Sequence, residues 1–413
     1  MSVPVLSPQD VGRVLAGLPR LPLAHLPTPL DEAPRFAERI GVGRVLVKRD
    51  DCTGVLFGGN KTRHNEFLLA DALRRGCDVV VWGAGIQSNN CRQTAAACAK
   101  LGLECRLFLS RTTHGDDLQG NLLLDHLVGA HVEQVDAPMG EPMLRLLRER
   151  AEGLRAAGRR PYVWDEERGG PLAAASYLLC MAEIEEQVRQ RGLSPTAVYA
   201  AAAGPTGAGL ALGRAVLGLP WLVRLIAPIR WPWDARQKMA DMAGRSAALL
   251  GLPHRLSRDD VDLREGFIGP AYGAVTPGGW EALRLLATTE GVLLDPVYTA
   301  KAMAGLIHDA REGRLGRDDM NLREDFIGPA YGAVTPGGWE ALRLLATTEG
   351  ILLDPVYTAK AMAGLIHDAR EGRLGRDDTV VFLHTGGLPA VFAYRDDLLP
   401  HLRPGREGTS SDC

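Results

Sequence analysis

Lysine is scarce in this chain. Six lysines (Lys48, Lys61, Lys100, Lys238, Lys301 and Lys360) stand against 41 arginines, and Lys61 sits in the segment FGGNKTR, directly after a glycine pair and Asn60. Gly58 and Gly59 permit positive φ and a close approach of backbone to a ligand. Lys61 is expected to open the following helix, whose positive N-terminal end disfavours an ammonium. An amine with a lowered pKa is a nucleophile toward an aldehyde, so the chemistry on offer is imine formation. Taken alone, the motif also fits a plain surface lysine after a glycine turn.

Two further segments carry polar groups at places where ligands bind. GAGIQSNNCRQTAA follows the apolar run DVVVW and leads into a helix, so Ser88 and Asn89 fall where a sheet's carboxyl edge meets a helix N-terminus. Helix capping by Ser88 or Asn89 is the simpler account of the same residues, but it does not explain Gly83 and Gly85 in the same turn. AAAGPTGAGLALG is a second strand-to-helix turn, with Gly204, Gly207 and Gly209, and with Thr206 able to donate to a phosphate. Its spacing is not that of a dinucleotide fingerprint.

The elements that must position these groups alternate in type. RVLVKRD, DVVVWG and ECRLFLS read as strands, separated by the helical segments EFLLADALRRG and RQTAAACAKLG. A second series begins with the helix AAASYLLCMAEIEEQVRQRG and continues through TAVYAAA, GLALGRAVLG and WLVRLIA to the buried strand type VVFLHTGG. Strand and helix in turn predict βαβ units and two open parallel-sheet α/β domains. The expected division is a larger domain of residues 1–64 and 166–413 and a smaller one of residues 65–165.

A repeat dominates the last third. Leu263–Asp319 recurs as Leu322–Asp378 at an offset of 59, differing only at Gly266/Asp325 and Val292/Ile351. Solenoid repeats diverge and come in larger numbers, so a near-identical pair predicts a recent tandem duplication. Because the second copy runs directly into VVFLHTGG, it is the copy expected to dock. The surplus copy is then expected outside the core, with apolar residues such as Leu283, Leu285 and Leu286 exposed.

Composition narrows the function. With 413 residues, 46% hydrophobic and 23% charged, and a net charge of −3, the chain is expected to be globular and to have no nucleic-acid partner. No stretch reads as a membrane span or a leader. The seven cysteines show no metal spacing, and the expectation is unpaired thiols in the cytoplasm and no metal.

Taken together, LPTPL, VKRDDCTGVLFGGNKTR, GIQSNNCRQTAA, GNLLLDHLVGA, DPVYTAKAM and FLHTGGLPAVFAY resemble, in order and almost end to end, the pyridoxal-phosphate enzymes of fold type II. The resemblance is to the family of 1-aminocyclopropane-1-carboxylate deaminase and D-cysteine desulfhydrase. It implies a tryptophan synthase β-like fold with pyridoxal 5′-phosphate in the cleft between the domains, a small amino-acid substrate, and a homodimer. By resemblance, Lys61 holds the cofactor as an imine and moves protons at the substrate carbon, with Asn60 beside it. Asn89 binds the ring hydroxyl, and Ser88 grips the substrate carboxylate or assists proton transfer. The backbone of Ala203, Gly204, Thr206 and Gly207 cups the phosphate, Thr385 faces the pyridine nitrogen, and the Tyr of DPVYT, present as Tyr298 and Tyr357, packs near the ring.

Some positions depart from the family pattern. The deaminase branch carries a Glu after that Tyr, whereas this chain has Thr299 or Thr358 with Thr385; neutral hydrogen bonds leave a weaker electron sink. That suffices to expel a thiolate, so β-elimination from D-cysteine is the expected reaction, with the deaminase and a catalytically weak cofactor-binding homologue as alternatives. His64 replaces a Lys, Asn90 replaces a His, Pro205 lacks an N–H in the phosphate turn, and WDEERGG brings acids toward the substrate entrance. Deleting one full 59-residue period should leave a soluble, active enzyme, as gel filtration and a turnover assay on the shortened chain will show.

Overall fold

The structure is a computed structural model that describes residues 3–111, 117–165, 167–228, 231, 233–268, 275–296, 298–311, 351–353, 379–384 and 389. The described strands are β1 (Leu30–Glu32), β2 (Arg44–Arg49), β3 (Val79–Gly85), β4 (Glu104–Ser110), β5 (His131–Val135), β6 (Pro161–Val163), β7 (Ala197–Ala201), β8 (Leu222–Ile226), β9 (Asp262–Arg264), β10 (Val292–Leu294), β11 (Ile351–Leu353) and β12 (Thr379–His384). They form a six-stranded sheet in the order β1-β2-β12-β7-β8-β9, a four-stranded sheet in the order β5-β4-β3-β6, and the pair β10-β11. All described pairings are parallel except that of β1, which lies antiparallel along the edge of β2.

The strands of the large sheet are apolar runs because helices cover both faces. On one face Phe36, Trp280, Leu283, Leu286, Met303 and Ile307 pack against Val45, Val47 and Tyr199. On the other, Tyr177, Met181, Leu210, Leu212 and Met239 pack against Leu46, Val198 and Ala200. The helix Pro205–Val216 lies so close to the helix Gly169–Gln190 that a Cβ on Gly209 would stand 2.2 Å from the Ala174 carbonyl oxygen.

A buried ionic network joins β2 to two helices. Arg63, in the helix Asn60–Arg74, donates to Asp50 at 2.8 Å from both Nε and a terminal nitrogen, and to Glu183 at 2.8 and 2.9 Å. Lys48 pairs with Glu183 at 3.0 Å, and the Tyr177 hydroxyl donates to Asp50 at 2.6 Å. Burial works to raise the Asp50 pKa, but Arg63, Lys48 and Tyr177 outweigh it, and the carboxyl titrates below its ordinary range.

The structure corrects the expectation about the repeat. The first copy is not left outside the core: its helix Pro277–Glu290 is buried, with Leu283, Leu285 and Leu286 all at 0% exposure. This copy begins within the edge strand β9, and its helix packs on a face of the sheet that β9 closes. Of the second copy, only β11 is described, and it pairs in parallel with β10, each residue beside its own counterpart (Val292 with Ile351). Removing one partner of a buried ion pair strands the other. Asp50→Ala is therefore expected to lower unfolding stability by about 3–5 kcal/mol in urea titration.

Candidate active site

The loop ahead of Lys61 has an unusual backbone. Six successive residues hold positive φ: Gly54 (86°), Val55 (33°), Leu56 (49°), Phe57 (63°), Gly58 (60°) and Gly59 (128°). Each non-glycine residue there costs roughly 1–2 kcal/mol, and surrounding contacts hold the shape. The Arg92 guanidinium donates to the carbonyls of Leu56 and Gly58. Thr53 Oγ1 accepts from the Gly59 N–H at 2.7 Å and donates to its carbonyl at 2.9 Å. A Cβ on Gly59 would lie 2.5 Å from Gln93 Nε2, so glycine is required there. In return Gln93 Oε1 accepts the Thr62 N–H at 2.9 Å, satisfying one of the unpaired donors at the helix start.

Lys61 is thereby delivered to a cavity of about 260 Å³ between the two sheets. Asn60, Ser88, Asn89, Ala203, Gly204, Thr206 and Tyr298 line the same cavity, so the structure brings together eight of the predicted site residues. Gly207 is buried in the next turn, where a Cβ would press on Met239 and Leu225 at 2.8 and 2.9 Å. Tyr357 and Thr385 lie outside the described residues.

Lys61 has no hydrogen bond or ion pair among the described residues. Deep setting in the protein, and nothing else, pushes its pKa down to about 8; desolvation rather than the helix end is the cause. Ser88 caps the helix Asn89–Leu101, its Oγ accepting from the N–H groups of Asn90 and Cys91 at 3.2 Å each. Ser88 both caps this helix and lines the cavity. The opposite wall is apolar, formed by Trp82, Met139, Trp164 and Trp231, with Trp82 and Trp164 in tilted contact at 5.0 Å. Among the described residues of WDEERGG, Trp164 lines the cavity, while Asp165 accepts from the backbone N–H groups of Glu167 and Arg168.

Three residues of the site went unassigned in the sequence. Asp295 Oδ2 accepts from Asn89 Nδ2 at 3.0 Å, and its Oδ1 from the Tyr298 N–H at 3.1 Å. Burial raises its pKa well above the carboxylate range, against the opposing pull of Lys301 and Arg92. Asn121 Nδ2 donates to Asn89 Oδ1 at 2.9 Å, so Asn89 is held from both ends, and Gln93 Nε2 donates to its carbonyl at 3.0 Å. Asp295 and Asn121 lie in DPVYTAKAM and GNLLLDHLVGA, and Gln93 in GIQSNNCRQTAA, so the signal was present without a role attached. Thr299 closes the Asp295 turn, its Oγ1 accepting the Asp295 N–H at 2.7 Å.

Comparison with known proteins agrees with this geometry. Residues 21–320 and 307–386 match the family described as pyridoxal-phosphate dependent enzyme. The chain is 35% identical over 393 residues to D-cysteine desulfhydrase of Salmonella schwarzengrund (strain CVM19633), covering 94% of this chain and 98% of the relative, and equally so to that of Salmonella newport (strain SL254). A solved ACC deaminase homologue superposes with a TM-score of 0.72 at 30% identity, over 95% of this chain and 99% of its own. The apo form of Escherichia coli diaminopropionate ammonia lyase, at 15% identity and a TM-score of 0.56 over 97% of this chain and 94% of its own, shares the fold alone. The chain belongs to the pyridoxal-phosphate dependent enzymes, in the fold type II family that joins 1-aminocyclopropane-1-carboxylate deaminase and D-cysteine desulfhydrase.

The residues present fit that cofactor. An unpaired, desolvated amine faces the cavity, and a Cβ added to Gly204, at the start of the helix Pro205–Val216, would meet nothing within 4 Å, which leaves room for a phosphate. In the cofactor-free chain, acylation of Lys61 followed by peptide mass mapping should rise with pH around a midpoint near 8, against 10.5 for an ordinary lysine.

Proposed function

We propose that the enzyme is a D-cysteine desulfhydrase, converting D-cysteine and water to pyruvate, ammonia and hydrogen sulfide. The observation that carries this reading is the unpaired amine of Lys61 opening on the same small cavity as Ser88 and Tyr298. The 35% identity to relatives of that name supports it. Bound there, pyridoxal phosphate supplies the electron sink that makes an amino acid's α-proton removable.

The chain's own residues divide the remaining work. With the cofactor bound, Lys61 Nζ would hold its aldehyde carbon and would then take the proton from the substrate's α-carbon. The electron pair of that C–H bond forms the Cα–Cβ double bond as the Cβ–S bond breaks, and the sulfur leaves with the bonding pair. The resulting enamine hydrolyses to pyruvate and ammonia. Ser88 Oγ already accepts two helix N–H groups, so both lone pairs are engaged and what its hydroxyl can offer the substrate carboxylate is its proton. Asn89 Nδ2 spends one N–H on Asp295, and the other is free for the cofactor's ring oxygen. Ala203, Gly204, Thr206 and Gly207 would seat the phosphate and Tyr298 would pack beside the ring and serve the leaving group, while the role at the ring nitrogen falls to Thr385 by the family resemblance alone.

In this reading the near-identical segments are a tandem duplication whose first copy serves the site. The enzyme works as a cytoplasmic homodimer, and the unpaired state of all six described cysteines supports a reducing compartment. Assays of both cysteine enantiomers, β-chloroalanine and 1-aminocyclopropane-1-carboxylate should show sulfide and pyruvate from D-cysteine; deaminase activity alone would overturn the assignment. Lys61→Ala should abolish turnover and borohydride labelling while preserving the fold. Tyr298→Phe should lower kcat by about 10- to 100-fold, whereas Tyr357→Phe should leave it unchanged.

A further inference from the structure

We infer that His64 is a positioning residue, which commits the hydroxyl proton of Thr206 to the anionic group seated at the start of the helix Pro205–Val216. This rests on the reading that the cofactor phosphate occupies that seat. Thr206 Oγ1 lies 3.1 Å from His64 Nε2 and accepts from Asn60 Nδ2 at 3.2 Å. Asn60 is the first and His64 the fifth residue of the helix that carries Lys61.

A hydroxyl has two acceptor lone pairs and one proton. With Asn60 on one lone pair, the direction of the bond to His64 decides what the proton does. If the ring accepts, Thr206 has no donor left for the cavity. If Nε2–H donates, both lone pairs are taken and the proton points to the anion. The ring is neutral, since burial, with Lys61 and Arg63 beside it, holds its pKa well below the imidazole range, so its single N–H can sit on either nitrogen. A hydrogen bond to a phosphate oxygen is charge-assisted and stronger than one to a neutral imidazole. An anion in the seat therefore selects the Nε2–H form.

Two observations make this donor matter. Pro205 has no N–H, so the helix start offers one backbone donor fewer and the hydroxyl takes a larger share of the anion. The ring is also fixed in place: it is 4% exposed and packs edge-on against Tyr177 at 5.5 Å, whose hydroxyl is anchored on Asp50. His64 thus links the buried ionic network to the phosphate seat without entering the cavity.

The test compares affinities of the full-length protein for pyridoxal phosphate and for pyridoxal, which lacks the phosphate. His64→Phe and Thr206→Val should each weaken pyridoxal phosphate by about 10-fold and leave pyridoxal unchanged. The double variant should be no weaker than Thr206→Val, and His64→Gln, which keeps a donor, should recover most of the loss. Additive losses in the double variant, or an equal loss for pyridoxal, would overturn the proposal. Should His64→Phe fail to fold, nitrogen NMR of histidine-labelled wild-type protein with pyridoxal phosphate decides the matter: a proton on Nε2 of His64 supports the relay and one on Nδ1 refutes it. If the wild-type protein bound both ligands equally, the phosphate seat itself would be wrong. If it discriminates and His64→Phe discriminates equally, only the role of His64 fails.

Discussion

An amine must be kept away from water and from carboxylates if it is to react as a nucleophile near neutral pH, and much of this structure serves that constraint. A carboxylate paired with Lys61 would hold it as an ammonium, and the acids that precede it in the chain, Asp50 and Asp51, do not pair with it. Both are engaged elsewhere. Asp50 is saturated by Arg63, Thr28 and Tyr177, and Asp51 is gripped by the Arg49 guanidinium at 2.8–3.2 Å. With its neighbours neutralised in this way, burial alone sets the acidity of Lys61. The dense ionic network beneath the site is thus a means of clearing charge from the cavity above it, more than a source of net stability.

The left-handed loop follows from the same constraint. To bring Lys61 over the cleft, the chain must reverse sharply between β2 and the next helix, and six positive φ angles do so at a conformational cost concentrated on Val55, Leu56 and Phe57. Arg92 and Gln93, the fourth and fifth residues of the helix Asn89–Leu101, hold the loop and cap the helix that follows it. The small sheet's helix therefore supports the catalytic lysine while its N-terminal residues Ser88 and Asn89 face the same cavity. Asn89 is in turn clamped between Asn121 and Asp295, groups drawn from segments on either side of the cleft.

The repeat shows how docking is decided when sequence offers two equal candidates. The two copies have the same apolar face and the same DPVYT turn, so intrinsic preference cannot separate them. The copy next to β9 in the chain occupies the sheet face, and Trp280 and the leucines of its helix are buried against Phe36 and Val45. The strand of the second copy pairs in parallel with β10, each residue beside its own counterpart.

From the sequence alone, alternating apolar runs and helical segments determined the two parallel sheets, because burial on both faces imposes the continuous apolar strands that RVLVKR and TAVYAAA display. Scarcity and context singled out Lys61, and strand-to-helix turns singled out Ser88, Asn89 and Thr206. These signals are local, and local spacing is enough to read them. The tertiary structure decided what depends on distant partners. It showed that Lys61 is depressed by burial rather than by a helix end, and that Asp295 and Asn121 hold Asn89 although 206 and 32 residues separate them from it. It also placed His64 against Thr206 across 142 residues, and turned Trp164 rather than Asp165 to the cavity. A hydrogen bond between side chains so far apart leaves no periodicity in the chain, and desolvation is a property of everything packed around a group; both exist only once the chain has closed.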